Sequence, residues 1–165
     1  ELEIVEPMAR EALAQAARSG DLRSEHFAHH FLADCPLIRG DCAGALPRYR
    51  RALELAVELG DRSETAVEIQ GVAMALAGCG HPAHALRLGG AAAAEFEALA
   101  IDLSGIVFWS ALLERYLGRA RAELAEDAAT AAWEEGRRTR FEHAIALALE
   151  TRGPSAARDN NVTNA

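Results

Sequence analysis

The sequence predicts an all-α fold: a solenoid of paired helices closed by a C-terminal helical cap. Three observations carry this. Small-residue breaks recur every 20 residues, at Gly20-Asp21, Gly40-Asp41, Gly60-Asp61 and Gly80-His81. Shifting the chain by 40 residues superposes small apolar residues on one another. No run alternates Val, Ile and Thr between hairpin turns, so strands are not expected. Residues 1–101 are read as the repeats, 102–151 as capping helices and 152–165 as a disordered polar tail.

Each break has its own chemistry. Glycine takes the left-handed conformation that ends a helix. Aspartate then caps the next helix by accepting its free N–H groups. One interval holds one helix and a tight turn, and two intervals make a unit of the size that stacks into solenoids. The shift superposes Ala12, Ala52 and Ala92; Val5, Ala45 and Ala85; and Leu13, Leu53 and Ala93. Small side chains at these crossings let backbones approach closely. The intervening helices, about 22–38 and 62–79, superpose Leu32 on Val72 and Ala33 on Ala73.

Pro36 and Pro47 fall inside helices and are expected to kink them, whereas Pro82 suits a helix start. After Asp102 the period stops. A helix is expected over 105–124, with Phe108, Leu112, Leu113, Tyr116 and Leu117 on its apolar side. A short helix over 127–135 should end at Gly136. Thr139 and Glu142 then form a capping box for a last helix, docked by Phe141, Ile145 and Leu149.

Composition excludes several function classes. A net charge of -8 argues against direct nucleic-acid binding by this segment, because duplex affinity rests on Lys and Arg neutralising phosphates. Cys35, Cys42 and Cys79 are too scattered for a disulfide framework or zinc cluster, and read as small buried residues of a cytoplasmic protein. Cys35 and Cys42 bracket a turn but lack redox-pair spacing. No apolar run reaches the ~18 residues of a membrane span, and the start does not read as a signal peptide. The first residue is Glu1, so a longer parent chain is expected. The sequon at Asn161 is read as a chance match.

Residues 40–53, G-D-C-A-G-A-L-P-R-Y-R-R-A-L, resemble the tetratricopeptide consensus almost position for position. The copy at 80–93 departs where Gly89 replaces the aromatic, and the copy ending at 9–13 is half a hairpin. The resemblance implies a right-handed solenoid of tetratricopeptide-like (TPR-like) hairpins. A second resemblance covers roughly 80–150. A-A-W-E-E-G-R at 131–137 and F-E-H-A-I-A-L-A-L-E at 141–150 are similar to the ending of bacterial LuxR-like and adenylate-cyclase-associated signal-transduction ATPases. It implies a helical domain behind an ATPase and a DNA-binding or cyclase module, neither of which is in this chain: there is no phosphate-binding glycine loop and no defensible helix-turn-helix.

His26 and His30 share one helical face, with Asp34 continuing the stripe. Two such histidines can share a metal ion, and a small-molecule or metal-binding enzyme built on them is the alternative reading. The general base of a metalloprotease motif is missing between them, so a structural or groove-lining role is preferred. His29 falls at a packing position, and His81 and His84 are read as turn and surface residues. Arg48, Arg50 and Arg51 form a solvated cluster or an anion contact, and Arg137, Arg138 and Arg140 suit a helix end. Phe27 and Phe31 are read as core, and Trp109 and Trp133 as anchors of the last helices. No Ser-His-Asp set and no paired carboxylates in an apolar setting are read from the sequence. The expectation is a non-catalytic module without metal or cofactor, sensing an effector or binding a protein, a peptide or another copy of itself. The helices that begin each pair should line a concave groove with Arg23, His26, His30, Glu64 and Glu68, Arg87 being a weaker candidate.

Overall fold

The computed structural model describes residues 2–150, and every regular element among them is helical. The expected tail and its sequon lie outside the described residues. Five helices of nearly equal length come first: α1 (Leu2–Ser19), α2 (Leu22–Arg39), α3 (Cys42–Glu58), α4 (Arg62–Gly78) and α5 (Pro82–Ala98). Gly20, Gly40, Gly60 and Gly80 all have φ between 68° and 86°, as the breaks require. The carboxylates of Asp21, Asp41 and Asp61 each accept a first-turn N–H of the helix that follows. At the fourth break Pro82 opens α5, and His81 supplies no side-chain cap. The beat runs one step beyond the last glycine, because Ala100 has φ 55°. An L-residue there costs on the order of 1 kcal/mol. α2 and α3 continue through Pro36 and Pro47.

Helices α1 to α5 pack in chain order, each against the next. Their crossings are close because one side lacks a side chain. A Cβ on Gly71 of α4 would lie 2.4 Å from the Tyr49 ring of α3. Tyr49 is fully buried in the core with Leu53, Ile69, Val72 and Leu86.

The last helices depart from the sequence expectation in three places. The first, α6, is an α-helix over Val107–Leu113, a π-helical turn over Glu114–Gly118 and a last α turn over Arg119–Ala122. Trp109, Leu112, Tyr116, Leu117 and Ala120 point inward. Phe108 does not, being 51% exposed: it lies about 100° round the helix from Trp109, which takes the inward position. Second, α7 (Glu126–Arg138) runs through Gly136 instead of ending there. The glycine serves a crossing. A Cβ on Gly136 would lie 1.9 Å from the Arg87 carbonyl oxygen of α5, and one on Gly90 would lie 2.2 Å from the Trp133 carbonyl oxygen. Trp133 also reaches Gly89, where a Cβ would lie 2.9 Å from its ring. Third, Thr139 does not cap the start of the last helix. Its hydroxyl donates to the Glu135 carbonyl at 2.8 Å and closes α7. α8 (Phe141–Leu149) starts at Arg140 without a side-chain cap and rests on α3, α4 and α5.

Cys35 and Cys42 are buried free thiols as expected, but Cys79 is exposed. No helix among the described residues is long and apolar enough to cross a membrane.

The glycine crossing generates a sign-specific prediction. In an exposed helix, Gly→Ala stabilises by about 1 kcal/mol. Gly136→Ala instead forces α5 and α7 apart, and overpacking of this kind costs about 1–3 kcal/mol. Urea unfolding should therefore show Gly136→Ala to be less stable than the parent; a gain would refute the backbone contact.

Candidate functional site

The polar centre of the molecule is built from two helices that face each other. The i, i+4 pair His26 and His30 lies on α2, and the i, i+4 pair Glu64 and Glu68 lies on α4. Equal helix lengths and equal turns bring α4 against α2 in register. Glu68 is 0% exposed and His26 1%. Glu68 Oε1 lies 2.9 Å from His26 Nε2 and 2.8 Å from His30 Nδ1. A carboxylate only accepts, so both imidazoles donate to this one oxygen. The other oxygen, Oε2, is buried with no hydrogen-bond partner.

A second carboxylate extends the network. Asp34 Oδ2 lies 3.5 Å from His30 Nε2, and the Tyr49 hydroxyl donates to Asp34 Oδ1 at 2.6 Å. Helix α6 closes this side. The Trp109 ring sits 5.6 Å from that of His30, and its indole N–H donates to Gln70 Oε1 at 2.8 Å.

Burial and charge compete at each group. For His30, burial opposes protonation, but the charge and hydrogen bond of Glu68, with Asp34 and Glu64, outweigh it and raise the pKa to about 9. For Glu68, burial favours the neutral acid, yet the two histidines hold the carboxyl below its ordinary range. Asp34 and Glu64 go the other way, pushed up mainly by burial. The Tyr49 hydroxyl is pushed strongly up by burial and by Asp34.

The five residues expected to line one open groove do not do so. His26 and Glu68 are buried, His30 and Glu64 are half-buried, and Arg23 stands outside, 3.3 Å from Asp61. The reason is α6. Its Trp109 covers His30, its Tyr116 hydroxyl donates to the Leu37 carbonyl at 2.6 Å, and its Arg115 donates to the Ile38 carbonyl at 3.0 Å. The chain thus covers its own polar surface.

Members of both arginine clusters are partnered. Arg50 binds the Ala148 carbonyl at 2.9 Å and the Glu150 carbonyl, tying down the end of α8. Arg51 pairs with Glu25 and Glu54. Arg137 holds Glu97 through two bonds of 2.8 Å. Arg87 pairs with Glu135 at 2.7 Å.

A second feature lies between α1 and α2, where Val5, Met8, Ala12, Phe27, Ala28 and Phe31 line an apolar groove of about 430 Å³. Phe27 and Phe31, expected in the core, are 37% and 44% exposed. Register explains this. A shift of 40 maps Val5, Ala12, Ala28 and Phe31 onto Ala45, Ala52, Glu68 and Gly71, all of which are buried. In that later pair, α2 lies against α3 and α4; no helix among the described residues takes the equivalent place beside α1 and α2.

The exposed phenylalanines were visible in the sequence, but their equivalents Val67 and Gly71 gave no hint of a groove. The Asp34–Tyr49 and Trp109–Gln70 contacts carried no sequence signal. Comparisons with family models, curated proteins and solved structures find no match for this chain.

Two measurements test the polar centre. Between pH 6.5 and about 9 the folded state holds a proton on His30 that the unfolded state has lost. The His30 contribution to stability is therefore complete below pH 6.5 and disappears as pH rises through about 9. The urea midpoint should fall across this window, and His30→Gln should flatten the slope; equal slopes would assign the effect elsewhere. Tyr49→Phe keeps the ring against Gly71 but strips Asp34 of its donor. It should cost about 1–3 kcal/mol in thermal or urea unfolding, whereas an unchanged stability would show that the bond contributes nothing.

Proposed function

We propose that this chain is a non-catalytic helical-repeat module that receives, in the groove between α1 and α2, an amphipathic helix from outside the described residues. The observation that carries it is the register of the groove. In the next pair, α3 and α4 present the equivalent surface, and α2 lies on it with His26 and His30 turned toward Glu68. A helix is therefore the object this surface accommodates. The lining decides its chemistry. Where α4 offers Glu68, α2 offers Ala28, with Phe27, Phe31, Val5 and Met8 around it. The guest helix should bring apolar residues at i, i+4 spacing where α2 brings histidines. The acidic balance of the chain favours a basic outer face on that helix.

The 40-residue register and the consecutive packing of α1 to α5 support reading the fold as a right-handed TPR-like solenoid with α6 to α8 as its C-terminal cap. The ending at 131–150 supports a place in a longer signalling regulator, with ATPase and output modules elsewhere in the parent chain. Under this reading the groove is where a partner makes contact, and the buried polar centre gives the module rigidity.

The test uses a fluorescein-labelled 18-residue peptide with leucines at i, i+4 spacing and lysines opposite, followed by anisotropy. It should bind saturably, and the same residues in scrambled order should not. Met8→Glu and Phe31→Glu should each weaken binding by about 10-fold or more. Both side chains are exposed, so stability should change by less than about 0.5 kcal/mol. Absence of binding would overturn the reading. So would a dimer in sedimentation that Phe31→Glu dissociates, because a second copy would then fill the groove.

A further inference from the structure

The polar centre holds more donor atoms than its hydrogen bonds use. His26, Glu64 and Glu68 each offer a ligand atom, and these atoms lie within 4.8 Å of one another. Glu68 has no solvent exposure, and its Oε2 has no hydrogen-bond partner. A buried acceptor without a donor is costly to leave unsatisfied. We propose that His26, Glu64 and Glu68 form a binding site for one divalent first-row transition-metal ion, of which Zn2+ fits the donor set well.

The donors match the ion. One imidazole nitrogen and two carboxylate oxygens form a borderline-hard set suited to zinc and its neighbours. Two carboxylate charges offset the charge of a divalent cation. A tetrahedral zinc site holds its ligand atoms about 3.3 Å apart. The three donors must therefore close by at most about 1.5 Å, starting from 4.8 Å. Glu64 can supply that movement. It lies in the first turn of α4 and is half-buried, so it forms the mouth of the site and leaves a fourth position for water.

His30 takes the supporting role. Its Nδ1 lies 2.8 Å from Glu68 Oε1 and orients that carboxylate, as outer-shell partners do in metal sites. This puts the ion between the i, i+4 pairs of α2 and α4, away from the groove of α1 and α2. The site therefore stands or falls independently of partner binding.

The experiment uses the full chain, stripped with a chelator and titrated with Zn2+ in equilibrium dialysis and calorimetry. Co2+ serves as the spectroscopic stand-in. The expected result is one ion per chain at micromolar affinity or tighter, with a Co2+ visible spectrum of low coordination number. His26→Gln and Glu64→Gln should each weaken Zn2+ binding by about 10- to 100-fold, while His143→Gln, an exposed control, should leave it unchanged. Glu68→Gln removes a buried ion-pair partner and can unfold the chain, so Glu64→Gln, checked by circular dichroism, decides the matter. Absence of stoichiometric binding would overturn the proposal. So would Glu64→Gln binding Zn2+ as tightly as the parent, or His143→Gln abolishing binding.

Discussion

The close approach of helix backbones is the constraint on which the rest of this molecule depends. Half the residues are apolar but only 5% are aromatic, so the core is filled mainly by backbones brought together over alanine and glycine. Two large side chains enter opposite glycines, Tyr49 facing Gly71 and Trp133 facing Gly89. Close packing of this kind leaves little room for adjustment, because interiors are as dense as organic crystals. It also fixes register, since a glycine that slides one turn along its neighbour loses the space it was matched to.

Fixed register is what makes the buried polar centre possible. An unpaired carboxylate inside a helical stack is prohibitively costly. Glu68 is tolerated there because α2 delivers two histidines to the same oxygen. The network then extends through His30 to Asp34 and Tyr49, and Trp109 of α6 covers it. A network so enclosed specifies one arrangement of α2, α3, α4 and α6, because any slippage would strand a charge. The same enclosure leaves one oxygen of Glu68 without a donor, and Glu64 stands at the edge of the cluster.

The two ends of the helical array differ in a way that bears on interaction. On the far side, α7 and α8 cover α5 with glycine-mediated contacts and ion pairs such as Arg137 with Glu97. Beside α1 and α2 the equivalent surface carries Met8, Phe27 and Phe31 in the open.

The sequence by itself determined α1 to α5, their lengths and the turns between them. Glycine, aspartate and proline act locally: Gly40 needs no partner to adopt positive φ, and Asp41 caps the helix that follows it. The buried character of Tyr49 and the alanine crossings was legible for the same reason, as helical spacing is a local property. Tertiary structure alone decided which distant residues meet. The sequence placed His26 and His30 on one face but could not show that α6 folds back over them, since a π turn and one indole contact set that path. Gly136 reads as a helix end to a local rule, yet the last turn of α7 runs through it, and its missing Cβ makes room for Arg87, far away in the chain. Phe27 and Phe31 read as core, and only the absence of a covering helix among the described residues left them exposed. Local chemistry fixes conformation residue by residue, whereas burial depends on what the rest of the chain brings alongside.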